Sequence, residues 1–451
     1  MARLYHTLQK LHLLPRLFRA RPPDGTQRRV GVVTELPTEI VQQILALFST
    51  TFSACDPASF PWFLGHICSG WRAMFLSMTA NFWSTISVTY PRRPHGSLNR
   101  FRDLVQLFLQ RNPTAPFSFE IRLLYPIFNY PPLAGDDIRH ILEMLIDQSM
   151  RWRSVLFEVH TPSDLLLLTR AKNRLPLLQA VRLNHVLYGS EPFYDVFQTA
   201  PSLNTVHMQD IANWTFDWSN LTDVRLFRFE QGAQNFTAAL PQMVKLERLT
   251  LICAYYGPTL SSIVLPRMTK LYCHPNWLRF LNTPALEELT IYDCYTNSLD
   301  LVLPFLRRSS CDILRLHIEI AQAATVGEII RHTPNLVHLE LYTICDIGLV
   351  FQQLIASREP GCKQLARRMV SLDITVSHLA SNDMILLRDL ISSRTGTAAD
   401  HVGCTKLQRL DVCGGFMFVA FRETMKDIAA LCKERRVQCA LLEDFMEGNH
   451  R

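Results

Sequence analysis

One short pattern of residues recurs along most of the chain and constrains its fold more than any other feature. Apolar residues occupy the first, fourth and sixth positions of each copy, often after a proline, as in residues 178–183 and 203–208. Aligned on the first residue of the final apolar pair, the copies begin at Val181, Val206, Val224, Leu249, Leu271, Leu289, Leu314, Leu339, Leu372 and Leu410. An interval of 25 residues is the commonest one. Self-similarity of this kind predicts a stack of repeated units.

The alternation within each copy predicts a short strand with one buried side. A period near 25 with this alternation resembles the leucine-rich repeat. The resemblance implies a parallel β-sheet in which each strand is followed by a helix on its outer side. Two weaker units, with strands at 117–123 and 154–159, follow amphipathic segments at 98–111 and 136–149. We therefore expect a degenerate leucine-rich-repeat solenoid with a C-terminal cap over residues 98–445.

The segment before the repeats has a helical pattern. Residues 37–48 place apolar side chains on one face of a helix, and residues 62–76 do the same. A short element at 78–83 and a strand-like segment at 84–88 follow. Three tryptophans lie in this short region, at 62, 71 and 83. So small a bundle cannot cover this apolar surface by itself, so we expect another surface to cover part of it.

The residues of this cluster match a known motif. The match consists of Leu36-Pro37-Thr38-Glu39-Ile40, then Ile67-Cys68-Ser69-Gly70-Trp71-Arg72, then Phe82-Trp83. In this order they resemble the F-box, in the loop-extended form common in fungal F-box-like proteins, over residues 34–88. Relative to the motif, residues 49–61 are an insertion. The expected fold is thus α/β, with a short N-terminal helical F-box-like cluster followed by the solenoid.

The F-box resemblance implies a partner. F-box proteins dock on a Skp-family adaptor, and through it on a cullin, as the substrate-recognition subunits of ubiquitin ligases. The docking surface would be an apolar face of the two helices, a common mode of recognition between proteins. The implied adaptor contacts are Leu36, Pro37, Ile40, Ile44, Leu45, Ile67, Cys68 and Trp71.

The polar position between the two final apolar residues of each copy predicts a second surface. In a stacked sheet these residues line one face. The predicted row consists of Arg182, His207, Arg225, Thr250, Tyr272, Thr290, Arg315, Glu340, Asp373 and Asp411. It runs from basic to acidic, which suits a protein substrate of opposite polarity, although any solenoid also needs solvated positions of this kind. Arg182 and Arg225 are the candidates for a phosphate contact if the substrate is phosphorylated.

Charge and composition limit the other partner classes. Residues 1–30 hold seven Lys and Arg against one acidic residue, so residues 1–33 are predicted to form a basic, disordered tail. The rest of the chain has 39 basic and 39 acidic side chains, which disfavours nucleic acid as a partner. No apolar run approaches the length of a membrane helix. Twelve scattered cysteines without a CxxC pair favour a cytoplasmic or nuclear protein.

Motifs of catalysis are missing from the sequence. It contains no dinucleotide-binding, P-loop, nucleophile-elbow, zinc-protease or EF-hand pattern, and its histidines and cysteines lack zinc-site spacing. We therefore expect neither an enzyme nor a metal or other cofactor.

Two functions stay open from the sequence. The first is a substrate receptor of a ubiquitin ligase, and the second is a leucine-rich-repeat scaffold that binds proteins without a ubiquitin role. A receptor must expose Leu36, Pro37, Ile40 and Trp71. A scaffold whose helical cluster only caps the repeats would bury them against residues 98–123.

Overall fold

The structure is a computed structural model, and it describes eighteen segments of the chain. They are residues 36–48, 51–54, 56–90, 98–123, 135–158, 166–184, 194–209, 214–227, 233–252, 262–292, 300–320, 323–343, 347–355, 365–376, 381–395, 399, 404–414 and 422–441. The predicted basic tail at 1–33 lies outside them. The chain forms two compact units, Met1–Val159 and His160–Arg451.

The N-terminal unit contains five helices and four parallel strands in its described part. The helices are α1 (Thr38–Ala46), α2 (Ser69–Ser77), α3 (Thr79–Phe82), α4 (Leu98–Arg111) and α5 (Gly135–Asp147). The strands are β1 (Phe52–Ser53), β2 (Thr85–Tyr90), β3 (Phe117–Leu123) and β4 (Trp152–Glu158), which pair in chain order. The helical cluster therefore shares one compact unit with two strands of the predicted solenoid range, β3 and β4.

Aromatic side chains fill the centre of this unit. Phe52 is fully buried, and its ring centroid lies 5.2 Å from that of Phe60 and 5.8 Å from that of Trp83. On its other side Phe52 stacks at 6.1 Å on Phe108 of α4. The buried Asn112 side chain donates to the main-chain carbonyl of Trp83 at 2.7 Å. These contacts join the helical cluster, β1 and α4 in a single core.

The insertion at 49–61 supplies much of this core. It contains β1, a short 3₁₀ helix (Pro57–Ser59) and the buried rings of Phe52 and Phe60. The sequence pattern predicted a loop here, because a two-residue strand is too short to show alternation. The pattern also predicted one helix over 62–76. The structure instead has a 3₁₀ helix (Trp62–His66) and then α2, whose N-terminus is capped by Cys68.

The C-terminal unit has a parallel sheet in which strands pair in chain order. Its described strands are β5 (Ala180–Leu183), β6 (Thr205–Met208), β7 (Asp223–Leu226), β8 (Arg248–Leu251), β10 (Lys270–Cys273), β12 (Glu288–Ile291), β13 (Arg315–Ile320), β14 (His338–Thr343), β15 (Ser371–Val376), β16 (Arg409–Gly414) and β17 (Gln438–Leu441). A separate parallel pair consists of β9 (Ile263–Val264) and β11 (Leu281–Asn282). The expected α/β class with a repeat-like parallel sheet is confirmed.

Six helices of this unit are described. They are α6 (Ala233–Ala239), α7 (Val302–Ser309), α8 (Ala323–Arg331), α9 (Ile347–Leu354), α10 (Ser381–Ser393) and α11 (Arg422–Glu434). From α7 to α11 each helix contacts the next in chain order. Apolar side chains of the helices and strands are buried between them, as the alternation predicted.

The strand register tests the sequence alignment residue by residue. Val181, Val206, Val224, Leu249, Leu271 and Leu289 pair in one continuous row, which confirms their alignment. On β13, however, Leu289 pairs with Leu316 and not with Leu314. The predicted position on β13 was therefore two residues too early. The same apolar-polar-apolar alternation is present in Leu314-Arg315-Leu316 and in Leu316-His317-Ile318, so the sequence pattern does not distinguish the two registers. From Leu316 the row continues to Leu339, Leu372 and Leu410 as predicted.

Candidate functional site

Helix α1 of the N-terminal unit has three distinct sides. Val41 and Leu45 are buried in the unit, and Thr38, Glu39, Gln42 and Gln43 form a polar side. Between these two sides runs a third one, made of Pro37, Ile40, Ile44 and Leu47 at helical spacing. Ile40 is 40% exposed and Leu47 is 63% exposed. A solvent-facing apolar side on an amphipathic helix is typical of a surface that contacts another protein.

Neighbouring residues extend this surface. Phe63 of the 3₁₀ helix packs edge-on against Phe48, just beyond the C-terminal end of α1, with ring centroids 5.7 Å apart. Half of Phe63 is exposed, and so is more than a third of Ile67. We call Pro37, Ile40, Ile44, Leu47, Phe63 and Ile67 together the apolar stripe.

The eight adaptor contacts implied by the F-box resemblance divide into two groups. Pro37, Ile40 and Ile67 are exposed, and Leu36, Ile44 and Cys68 are half-buried. In contrast, Leu45 is 0% exposed and Trp71 is 6% exposed, so both side chains lie inside the unit. The Cys68 thiol accepts a hydrogen bond from the Trp71 amide at 3.5 Å. Leu47 and Phe63, which the motif did not indicate, are 63% and 50% exposed, more than Ile40 at 40% and Ile67 at 39%. Their spacing from the other apolar residues is the signal that would have found them.

The second surface lies on the C-terminal unit. The polar residues that alternate with the buried ones project from one side of its sheet, which we call the open face. In strand order one row of this face is Arg182, His207, Arg225, Thr250, Tyr272, Thr290, His317, Glu340, Asp373 and Asp411. This is the predicted substrate row with one correction. His317 takes the place of Arg315, because the register of β13 differs by two residues.

Arg315 belongs to a parallel row on the same face, two residues earlier on each strand. That row contains Thr205, Asp223, Arg248, Lys270, Glu288, Arg315, His338, Ser371 and Arg409. The sequence alignment missed this row as a set, although the same alternation predicts it. The two rows together give the open face a network of ion pairs.

Asp223 is the centre of the first ion-pair group. Its carboxylate is nearly buried and lies 3.3 Å from Nε of Arg225 and 3.2 Å from Nε of Arg248. Nε2 of His207 lies 3.5 Å away. Burial raises the pKa of the Asp223 carboxyl, but the hydrogen bonds and positive charges of His207 and Arg225 outweigh burial and hold the pKa at about 2. Asp223 is therefore a fixed negative charge that orders the cations around it.

Further along the sheet, towards β16, carboxylates outnumber the arginines and lysines. Glu288 bridges Lys270, at 2.8 Å, and Arg315, at 3.4 Å. Beyond it, Glu340 accepts from Nδ1 of His317 at 3.0 Å. Asp373 and Asp411 pair with each other across β15 and β16, and both lie beside Arg409. One arginine thus serves two adjacent carboxylates.

Substitution of Asp373 tests this crowding. Burial and the neighbouring charge of Asp411 raise the pKa of the Asp373 carboxyl to about 6. Because the pKa of Asp373 is higher in the folded protein than in the unfolded chain, ionisation of this carboxyl lowers the free energy of unfolding. The stability that the protonated carboxyl provides is therefore lost as pH rises through 6. Because the side chain is a third exposed, solvent screening reduces the effect. We expect Asp373→Asn to stabilise the protein by about 1 kcal/mol at pH 7.5.

The gain from Asp373→Asn should shrink as pH falls below 6 and vanish near 4, where the carboxyl is protonated in both the folded and the unfolded chain. Thermal unfolding between pH 7.5 and 4.5 measures it. Asp389→Asn, at an exposed aspartate of α10, is the control and should change little at any pH. A constant difference between Asp373→Asn and the parent across this range would contradict the raised pKa.

Aromatic side chains lie among the charges of the open face. Tyr272 and Tyr292 stack with ring centroids 5.2 Å apart, and the Tyr292 hydroxyl donates to the carbonyl of Leu251 at 2.9 Å. Phe227 and Tyr342, near the ends of β7 and β14, are exposed. Tyrosine, phenylalanine and arginine are among the residues enriched at protein–protein interfaces.

The described segments contain no group of three or more His, Cys, Asp and Glu side chains placed to hold a metal ion. None of their helices is long and apolar enough to cross a membrane. No protein-family model matches the chain, and no curated protein matches it significantly. The function must therefore be argued from the apolar stripe and the open face.

Proposed function

We propose that this protein is a substrate-recognition subunit of a Skp/cullin/F-box ubiquitin ligase. In this proposal the N-terminal helical cluster is an F-box that docks on the Skp-family adaptor. The C-terminal unit is a degenerate leucine-rich-repeat domain whose open face holds the substrate protein. The observation that carries the proposal is the apolar stripe, because α1 already packs on its unit through Val41 and Leu45, and a second, exposed apolar side is not needed for that packing.

The structure changes the adaptor contacts that we propose. Leu45 and Trp71 are core residues of the unit, so they stabilise the helices that carry the stripe and do not reach a partner. The contacts proposed in their place are Leu47 and Phe63, which join Pro37, Ile40, Ile44 and Ile67. Side chains of this size in a groove are the usual anchors of a helix-in-groove interface.

A binding assay tests the proposal directly. The full chain is titrated with the Skp-family adaptor of its host, beside a variant with Ile40→Gln and Leu47→Gln. Both side chains are exposed, and glutamine is a good helix former, so the variant should fold normally. Loss of two anchors should weaken adaptor binding at least about 100-fold, which corresponds to about 2.7 kcal/mol.

The C-terminal unit offers a matched control. Leu349 of α9 and Ile385 of α10 are exposed to a similar degree as Ile40, but they lie on outer helices far from α1 in sequence. The variant Leu349→Gln with Ile385→Gln should bind the adaptor within about threefold of the parent. Failure of the folded parent to bind any adaptor, or equal binding by both variants, would contradict the receptor function.

One observation favours the second candidate, a protein-binding scaffold without a ubiquitin role. The helical cluster shares its aromatic core with α4, through Phe52 and Phe108, as expected if the cluster is a structural part of its unit. Of the four residues that a receptor was expected to expose, Leu36 is half-buried and Trp71 is buried, whereas Pro37 and Ile40 are exposed, which argues against a purely structural role for α1. The same adaptor titration separates the two functions.

A further inference from the structure

The open face has opposite charge at its two ends. From β5 to β12, four cations face two carboxylates, which leaves a surplus of two positive charges; these residues are Arg182, Arg225, Arg248 and Lys270 against Asp223 and Glu288. From β13 to β16, four carboxylates face two cations, which leaves a surplus of two negative charges; these residues are Glu319, Glu340, Asp373 and Asp411 against Arg315 and Arg409. We call the two parts the basic end and the acidic end.

The strand order gives the separation of the two ends. The cations of the basic end centre between β7 and β8, and the carboxylates of the acidic end centre between β14 and β15. About five strand spacings separate these centres, or roughly 24 Å at about 4.8 Å for each spacing. An extended polypeptide covers that distance with about seven residues. A single unfolded segment of a partner can therefore reach both ends.

Between the two centres lies an aromatic site. Tyr272 and Tyr292 stack on adjacent strands, β10 and just after β12. Tyr292 follows Ile291, which pairs with Ile318 next to Glu319, so the stacked rings lie close to the start of the acidic end. Stacked tyrosines provide a large, rigid apolar area at low entropic cost, which suits an anchor side chain of a bound segment.

We propose that the open face binds an extended segment of a partner protein with acidic residues toward one end and basic residues toward the other. The two charge centres of the segment lie about seven residues apart, with an apolar or aromatic residue between them. The acidic residues meet the basic end, and the basic residues meet the acidic end. This inference rests on the proposed function, in which the open face holds the substrate. Nucleic acid does not fit the surface, because the acidic end repels phosphates.

Labelled peptides test the charge pattern on the full chain at physiological salt. The bipolar peptide has a block of glutamates, a spacer of about three residues with one tyrosine, and a block of arginines, so that its charge centres lie about seven residues apart. An all-glutamate and an all-arginine peptide share its length and spacer. Fluorescence anisotropy should show that the bipolar peptide binds at least about tenfold tighter than either of them.

Single charge reversals then assign each end. Glu340 is exposed, and its carboxylate lies 3.0 Å from Nδ1 of His317. The Glu340→Lys variant should weaken binding of the bipolar peptide about tenfold and strengthen binding of the all-glutamate peptide. The Arg182→Glu variant should bind both the bipolar peptide and the all-glutamate peptide more weakly than the parent. The control Arg388→Glu, on the exposed side of α10, should change neither.

Other results would overturn the proposal. Equal binding of the three peptides, no binding of the bipolar one, or no response to Glu340→Lys would each show that the charge pattern does not select the partner. Adaptor binding by the same samples separates this outcome from failure of the proposed function. If the adaptor binds and the bipolar peptide fails, the receptor function stands and the partner chemistry is wrong. If the peptide behaves as expected and the adaptor fails, the open face belongs to a scaffold.

Discussion

Replacing Arg394 by alanine is expected to lower the free energy of unfolding of the C-terminal unit by about 4 kcal/mol. Arg394 follows α10 and is 0% exposed. Its guanidinium donates four hydrogen bonds to main-chain carbonyls: two to Leu354, at 2.8 and 2.9 Å, one to Leu365 at 2.6 Å and one to Ala366 at 2.9 Å. When the guanidinium is removed, the buried carbonyls of Leu354, Leu365 and Ala366 have no hydrogen-bond donor. Each unsatisfied carbonyl costs about 1–3 kcal/mol of folding free energy.

The position of Arg394 adds to its effect. Leu354 is the last residue of α9, where the helix dipole leaves carbonyls that favour a positive charge. Arg394 therefore joins the end of α9, the segment at 365–366 and the end of α10. Lysine keeps the charge but has no planar fork of donors, so Arg394→Lys should recover less than half of the loss.

Thermal unfolding and amide hydrogen exchange measure the loss. Arg394→Ala should lower the Tm of the C-terminal unit by roughly 8 °C and speed exchange in β15 and β16. The control Arg388→Ala removes an exposed arginine from the same helix and should change stability by less than about 0.5 kcal/mol. A similar small change for Arg394→Ala would show that water satisfies the carbonyls of Leu354, Leu365 and Ala366 when the guanidinium is gone.

Replacing Phe52 by alanine should destabilise the N-terminal unit by about 4 kcal/mol, within the range found for buried aromatic residues. Phe52 is fully buried, and its ring contacts those of Phe60, Trp83 and Phe108. The substitution leaves a cavity where the insertion, α3 and α4 meet. Because β1 has only two residues, little else holds the insertion against β2.

Denaturation followed by tryptophan fluorescence reports this change, since Trp62 and Trp83 border the cavity. Phe63→Ala is the matched control, because it removes the same side chain from a half-exposed position in the same cluster and should cost less than about 1 kcal/mol. If Phe52→Ala costs no more than Phe63→Ala, the helical cluster and α4 do not share one cooperative core. The cluster would then behave as a domain of its own over residues 34–88.

Arg394 is one of three arginines with the same role. Arg151 donates to the carbonyl of Ala115 at 3.1 Å, and Arg308 donates to that of Leu281 at 2.8 Å. Each reaches carbonyls 27 to 40 residues earlier, about one repeat back, and burial lowers the pKa of all three side chains. A guanidinium has five donors, which suits a turn between repeats where several carbonyls lack a strand partner. In sequence these arginines look like ordinary surface residues.

The substrate row shows how far local pattern reaches. Alternation is a property of neighbouring residues, so Val181, Leu249 and Leu339 were aligned correctly without knowledge of the rest of the chain. Residues 314–318 satisfy the pattern in two registers. The choice between them depends on hydrogen bonds to β12 and β14, which are far away in sequence. Arg315 was therefore assigned to the wrong row.

The amino-acid sequence by itself determined the alternation of buried and exposed strand residues, the spacing of most repeats and the polarity of charge along the open face, because these follow from short-range periodicity and from residue type. The parallel sheet was implied by the resemblance to the leucine-rich repeat. Only the tertiary structure decided which apolar residues of the helical cluster are core and which are exposed. Leu45 lies near the end of α1 and Leu47 just after it, and the packing of α2 against α1 is what the periodicity alone did not show. Burial depends on all the elements around a side chain, and a helical pattern describes only one of them.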